Sequence, residues 1–306
     1  MPINYPNNQP KTTTHQTTNK TQINFELSEP RYSIQDLVLP SKTTSELQRA
    51  ISLRQHQQAV FQDWGFKYTH KFDNKMIINL YGEPGTGKTM AAHAIAHQLK
   101  KKLILINYGD IESKYVGETP KNIQAAFQFA HQNKAILFFD EADAILSRRV
   151  TNMSNATDTS VNQTRSVMLN LLNDYNDIVI FATNFISNYD PAFMRRILMH
   201  IEFTLPDENT RRFLWEKYIP KQLPHNIDIT DIVKESEQLS GSDIANSILL
   251  AAFSAKNEQQ DFVSHQNLLN QVQAIKKSKK SNAGSSVTTR LVTEDEVKKH
   301  LLSKES

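Results

Sequence analysis

Eight residues, Gly82-Glu83-Pro84-Gly85-Thr86-Gly87-Lys88-Thr89, carry the most specific chemistry in the chain, because they satisfy G-x-x-x-x-G-K-[ST]. Glycines at that spacing let the backbone curl so that successive N–H groups point inward at β- and γ-phosphates. Lys88 adds a point charge, and the Thr89 hydroxyl can ligate Mg²⁺. A second group, Asp140-Glu141, closes the apolar run Ile136-Leu137-Phe138-Phe139. Asp140 is suited to the metal shell of a bound nucleotide, and Glu141 to polarising an attacking water. The plain alternative, an acidic turn at a strand end, is disfavoured by the cradle upstream. Asn184 can orient the same water or serve only as a turn residue. Arg195 and Arg196, in Asp190-Pro191-Ala192-Phe193-Met194-Arg195-Arg196, can pair with surface acids or, in a ring, reach a neighbour's γ-phosphate as fingers.

A phosphate cradle requires a buried strand before it and a helix after it. Met76–Tyr81 supplies the first, and Met90–Lys100, rich in Ala, His and Leu, supplies the second, with its positive N-terminal end toward the phosphates. Further strands are predicted over Leu103–Ile106, Ala135–Phe139, Ile178–Thr183 and His200–Thr204, with helices such as Thr119–Gln132 and Thr164–Asn173 between them. Strand and helix alternation of this kind is α/β grammar, and continuous apolar runs fit a parallel sheet covered on both faces. After Leu205-Pro206-Asp207 the segments read helical: Asn209–Tyr218, Ile229–Glu237, Ser242–Lys256 and Ser264–Ala274. Three parts are therefore expected: a disordered Thr/Asn/Gln-rich tail over 1–33, a nucleotide-binding α/β domain over 34–206, and a helical lid over 207–306. The lid contains a basic, Ser-rich loop at 276–289, and a last helix begins at Thr293.

The 306 residues suffice for one large core and a smaller second one. A formal net charge of only +3 offers no extended basic field, so nucleic acid is not an expected partner. With no cysteine, disulfides, thiol catalysis and Cys-ligated zinc are excluded. The first 20 residues lack the apolar core of a signal peptide, and no run of about 18 apolar residues exists, so a cytoplasmic protein without a membrane partner is expected.

Gly82–Thr89, Ile136–Asp143, Phe181-Ala182-Thr183-Asn184 and Asp190–Arg196 together resemble the AAA+ ATPases, specifically the AAA clade proper. The resemblance covers roughly residues 34 to 302, with the motifs in the family's order and spacing. It implies a five-stranded parallel αβα nucleotide domain followed by a small all-helical lid, an Mg-ATP hydrolase, and a homo-oligomeric ring, usually a hexamer, with each ATP at a subunit interface. Lys88 and Thr89 fall on Walker A, Asp140 and Glu141 on Walker B, Asn184 on sensor 1, and Arg195 and Arg196 on the finger positions. Nucleotide contacts are expected from Pro84, Gly85, Thr86, Gly87, Lys88, Thr89 and Met90. Leu37 and Val38 match the segment flanking adenine, and Gly241 and Ser242 match the lid segment at the nucleotide. Two departures stand out: Ile197-Leu198-Met199-His200 replaces a Phe-Gly-Arg-Phe-like stretch, and Ser242 replaces the usual Ala.

By the same resemblance, Tyr115-Val116-Gly117 looks into a central pore and grips extended polypeptide. An aromatic and a β-branched residue hold a chain through contact area rather than specific hydrogen bonds, which suits sequence-tolerant pulling. The expected function is threading, unfolding or remodelling of a protein substrate, brought by an adaptor or, as in pachytene-checkpoint-type relatives, a HORMA-domain client. The alternatives are a nucleic-acid motor or loader and a nucleotide-switched scaffold.

Overall fold

The computed structural model describes residues 24–69, 75–107, 118–146, 156–184 and 189–283. The strands are β1 (Met76–Gly82), β2 (Leu103–Asn107), β3 (Ile136–Asp140), β4 (Ile178–Thr183) and β5 (Met199–Phe203). They form one five-stranded sheet in the order β2-β3-β4-β1-β5, with every pairing parallel. The helix α1 (Ser41–Gln58) precedes β1; parallel neighbours require crossovers, and these carry the helices α2 (Lys88–Gln98), α3 (Glu118–Asn133), α4 (Asp143–Leu146), α5 (Ala156–Asp174) and α6 (Pro191–Met194).

Because the strand period is two, alternate residues of each strand feed opposite cores. Ile77, Leu137, Phe139, Val179 and Phe181 join α3 and α5 residues on one face. Met76, Ile78, Leu80, Phe138 and Ile180 join Leu47, Ala91 and Ile95 from α1 and α2 on the other. Burial on both faces is why the strands read as unbroken apolar runs. This is the αβα sandwich expected from the sequence, and all five strands lie within a residue of their anticipated bounds.

The carboxyl-terminal region is helical: α7 (Glu208–Tyr218), α8 (Ile229–Glu235), α9 (Gly241–Asn257) and α10 (His265–Ala283). Its own core gathers Leu214, Trp215, Ile232, Ile248, Leu268 and Val272. Side-chain caps start these helices where the sequence offers short acceptors: Asp207 accepts from Thr210, Asp228 from Thr230 and Asp231, and Ser240 from Asp243.

Two expectations need correction. The basic stretch 276–289 does not begin as a loop, since α10 continues to Ala283. No Gly or Pro interrupts it before Gly284, and two of its lysines have partners. Lys276 donates to the Glu235 carbonyl at 2.7 Å, and Lys279 to the Gln238 carbonyl at 3.3 Å and the Asp243 carboxylate at 2.7 Å. Ammonium groups so placed complement the negative end of α8. Likewise, 24–33 is not free tail. Ser28 and Leu103 exchange backbone hydrogen bonds of 2.7 and 2.9 Å, and Phe25 meets Phe129 with ring centroids 6.0 Å apart. β2 is an edge strand, and an edge offers unpaired N–H and C=O groups to any chain that can reach it. Residues 1–23, the pore-loop residues Tyr115, Val116 and Gly117, and the helix expected from Thr293 lie outside the described residues.

Candidate nucleotide site

The chemistry-bearing residues collect at the carboxyl ends of β1, β3 and β4, where parallel α/β sheets place their ligands. From β1 the chain enters the glycine loop, in which Gly82, Gly85 and Gly87 hold φ of +136°, +76° and +102°. These are left-handed values that other residues adopt only with strain. Close approach adds to the requirement: a Cβ on Gly82 would lie 2.1 Å from the Phe203 carbonyl oxygen, and one on Gly85 would lie 2.6 Å from Ser240 Oγ. The loop is braced by Thr86 Oγ1 donating to the Glu83 carbonyl at 2.7 Å. α2 then starts at Lys88, two residues earlier than expected, with Gly87 as its N-cap.

Two hydrogen bonds tie the three strand ends together. Lys88 Nζ, after β1, donates to Asn184 Oδ1, after β4, at 3.1 Å, and also to the carbonyls of Gly82 and Glu83 at 2.6 and 3.0 Å. Thr89 Oγ1 donates to Asp140 Oδ2, at the end of β3, at 3.0 Å. Lys88 is 9 % exposed, and burial pulls its ammonium below the ordinary lysine range, opposed by Asp140, Asp143 and Glu83. Glu141 follows Asp140 with a left-handed φ of +51° and is exposed to the cleft. A non-glycine residue held in that region is the kind of backbone strain that gathers at functional sites.

These groups surround a cleft of about 300 Å³ bordered by Pro84, Gly85, Gly87, Lys88, Thr89, Met90, Asp140, Glu141, Asn184 and Ser242. A second cleft of about 50 Å³ adjoins it, sharing Gly85, Gly87, Met90 and Ser242 and adding Leu37, Val38, Thr86 and Gly241. Leu37 packs on the α/β core and Val38 on the helical core, so this segment spans the two. The lid is fastened to the cradle itself: the Ser242 N–H donates to the Gly85 carbonyl at 3.1 Å, at the N-terminal end of α9.

The donor set fits a small hard cation beside a triphosphate. Thr89 and Asp140 present a hydroxyl and a carboxylate oxygen side by side, and magnesium favours few protein oxygens supplemented by phosphate and water. Among the described residues no three His, Cys, Asp or Glu side chains are grouped to hold a metal by themselves.

Arg195 and Arg196 are not brought to this cleft. They border a separate groove of about 590 Å³ with Arg49, Leu53, Lys75 and Leu198. The pair is unequal there. Arg196 donates through Nε to Asn173 Oδ1 at 2.7 Å and through Nη1 to the Ala192 carbonyl at 2.6 Å, whereas Arg195 is exposed.

Two contributors escaped sequence reasoning. Asp143 accepts the Asn184 backbone N–H at 3.2 Å, fixing that residue from the β3 side. Its signal, an acid three residues past Asp140, was visible but indistinguishable from a helix N-terminal acid. Lys217 borders the smaller cleft and donates to the Asp36 carbonyl, a contact spanning 181 positions that no local pattern announces.

The chain matches the model of the "ATPase family associated with various cellular activities (AAA)" over residues 78–205. It is 32% identical over 244 residues to the 26S proteasome regulatory subunit 4 homolog of Dictyostelium discoideum, covering 77% of this chain and 54% of that protein. It is 33% identical over 216 residues to the 26S proteasome regulatory subunit 10B homolog A of Arabidopsis thaliana, covering 68% and 54%. A third relative, the 26S proteasome regulatory subunit 6B homolog of Dictyostelium discoideum, is 37% identical over 175 residues, covering 55% and 43%. The chain thus spans about half the length of the curated relatives it matches. With the glycine cradle, the paired acids after β3 and the amide after β4 gathered on one nucleotide-binding sandwich, the chain belongs to the AAA ATPase family.

Proposed function

We propose that this chain is an Mg-ATP-hydrolysing motor that works as a ring of identical copies on protein substrates. The observation that carries the reading is the meeting of Lys88 with Asn184 and of Thr89 with Asp140, which sets four motif residues from three strands around one cleft beside Glu141. Backbone N–H groups of the glycine loop and the Lys88 ammonium bind the β- and γ-phosphates. Thr89 and Asp140 hold Mg²⁺, which when bound neutralises phosphate charge. Glu141 takes a proton from the attacking water, and Asn184 orients that water.

An arginine completing the site comes from the neighbouring copy, because Arg195 and Arg196 border another face of their own protomer. Arg195 fits the finger role better, since Arg196 is engaged with Asn173 and Ala192. A protein substrate is supported by the relatives' names as proteasome regulatory subunits. Tyr115, Val116 and Gly117 are the residues we assign to gripping it. The same relatives lend no support to a HORMA-domain client. Among the described residues no helix is long and apolar enough to cross a membrane.

The test combines turnover, nucleotide binding and client processing. Glu141→Gln should bind ATP normally and lose hydrolysis by roughly 10²-fold or more, the worth of a positioned base. Tyr115→Ala should keep ATP hydrolysis and fail to unfold an unstructured-tagged model protein. Hydrolysis unaffected by Glu141→Gln overturns the catalytic assignment, and unfolding unaffected by Tyr115→Ala overturns the threading assignment.

A further inference from the structure

Beneath the cleft, three polar side chains meet inside an otherwise apolar core: Asn79 on β1, Thr183 at the end of β4, and Tyr189 two residues before α6. They are 0%, 1% and 5% exposed. Asn79 Nδ2 donates to the Tyr189 hydroxyl oxygen at 3.2 Å, and Thr183 Oγ1 donates to Asn79 Oδ1 at 3.3 Å. The Tyr189 hydroxyl in turn donates to Thr183 Oγ1. Each member gives one hydrogen bond and takes one, so the three close into a ring. Its surroundings, including Phe181 and Phe193, would accept apolar side chains. Burying polar groups is costly unless every one is partnered, and a fully partnered network holds its members in one arrangement.

What those members hold is specific. Asn79 lies three residues before Gly82, where the cradle begins, and Thr183 immediately precedes Asn184. Tyr189 immediately precedes Asp190, which caps α6 by accepting the Ala192 N–H at 2.8 Å, and α6 leads directly to Arg195. The ring of hydrogen bonds therefore joins the strand of the phosphate loop, the strand of the water-orienting amide and the segment bearing the outward arginine.

The three are not equally free to move. Asn79 and Thr183 sit in strands paired along their whole length, from Met76 opposite Ile178 to Tyr81 opposite Thr183. Tyr189 lies outside the five strands, and among the described residues its segment is tied by separate backbone bonds rather than a continuous ladder, among them the Asp190 N–H to the Leu146 carbonyl at 2.9 Å and the Leu198 N–H to the Ile77 carbonyl at 2.8 Å. Loss of the hydroxyl should thus leave the cradle in place and loosen the arginine side.

We infer that Tyr189 is a positioning residue: its hydroxyl, held by Asn79 and Thr183, sets α6 and Arg195 against the strands that surround the protomer's own nucleotide. The arginine offered to the next copy is thereby registered to the site behind it. The inference rests on the shared-site reading proposed above, and mixed rings separate the two. A donor chain carries Glu141→Gln, silent in its own site but with Arg195 intact. An acceptor chain carries Arg195→Ala. Mixing them should restore ATP turnover, and absence of any restoration refutes the shared site itself.

Given restoration, Tyr189→Phe added to the donor should cut it at least fivefold. The same change added to the acceptor should leave it within twofold, with nucleotide affinity also within twofold. Equal restoration by donors with and without the hydroxyl overturns the inference, as does an equal loss when the change sits in the acceptor, the pattern of a merely structural role. Should Tyr189→Phe fail to assemble, Asn79→Leu in the donor gives the same comparison. It keeps a similar volume while removing the strand's bond to the hydroxyl, and the same donor-only loss is expected.

Discussion

Gly85 and Gly87 form a matched pair for testing how the lid grips the cradle. Both have left-handed backbone, with φ of +76° and +102°, so replacing either by alanine brings a similar conformational penalty of about 1–2 kcal/mol. They differ in what a methyl group would meet. At Gly87 the nearest atom is a flexible Leu39 methyl at 3.7 Å, an ordinary contact. At Gly85 it is Ser240 Oγ at 2.6 Å, with Ser242 Cβ at 3.1 Å. Ser240 cannot step aside cheaply, because its hydroxyl is committed to the box with Asp243 that starts α9. Overpacking of this kind costs roughly 1–3 kcal/mol. If the clash is relieved by pulling α9 from the glycine loop, the Ser242 to Gly85 hydrogen bond is lost, and with it the nucleotide contacts proposed for Gly241 and Ser242.

Gly85→Ala should therefore bind nucleotide weaker than Gly87→Ala by about 1–3 kcal/mol, or roughly 5- to 150-fold in Kd. Titration with a fluorescent ATP analogue, alongside thermal melts of both variants, measures this directly. Equal affinities for the two variants would refute the claim that lid and phosphate loop share a tight contact at Gly85.

Arg195→Ala should lower turnover by roughly 10³-fold with little effect on melting, while Arg196→Ala should retain most turnover and lose about 1–3 kcal/mol of stability, since its guanidinium anchors Asn173 and the Ala192 carbonyl. Steady-state ATPase assays and denaturant titrations on both variants decide it, and reversed effects would exchange the roles. Trp215→Phe should destabilise the helical region by about 2–4 kcal/mol in denaturant unfolding, because Trp215 and Ser236 are both 0% exposed and joined by an indole N–H bond of 2.9 Å. A loss below about 0.5 kcal/mol would contradict that packing. The Thr210 backbone N–H donating to Asp207 holds this carboxyl below its ordinary 3.8. A depressed carboxylate contributes stability above its unfolded pKa that is lost as pH falls through its folded pKa, so melts of Asp207→Asn and the parent should differ near neutrality and converge in acid. A difference that stays unchanged as pH falls well below the ordinary 3.8 would argue against the cap.

Much of the candidate site was legible because the instruction is local. A phosphate loop is a set of backbone angles, and Gly82, Gly85 and Gly87 at their spacing leave few other uses for Lys88 and Thr89. Asp140 and Glu141 were legible for a related reason: an apolar run buried on both faces must end somewhere polar, and its carboxyl end is where a parallel sheet binds. The lysines after Ala274 misled, because charge density suggests a solvated loop when nothing nearby in sequence reveals Glu235, Gln238 and Asp243 as their partners. Phe25 and Ser28 were missed for the same reason, as an edge strand and Phe129 are remote in the chain.

The sequence by itself determined the class of fold and the candidate phosphate-loop residues, since strand periodicity and glycine spacing act within a few residues. Only the tertiary structure decided which distant groups meet. The strand order sets β4 between β3 and β1, and so brings Asn184 to Lys88 across 96 positions while leaving Arg195 on another face. It also closes Asn79, Thr183 and Tyr189 into one buried ring of hydrogen bonds. Those contacts depend on register and crossover, which are settled by burying two faces of a sheet at once, and no segment read alone contains that information.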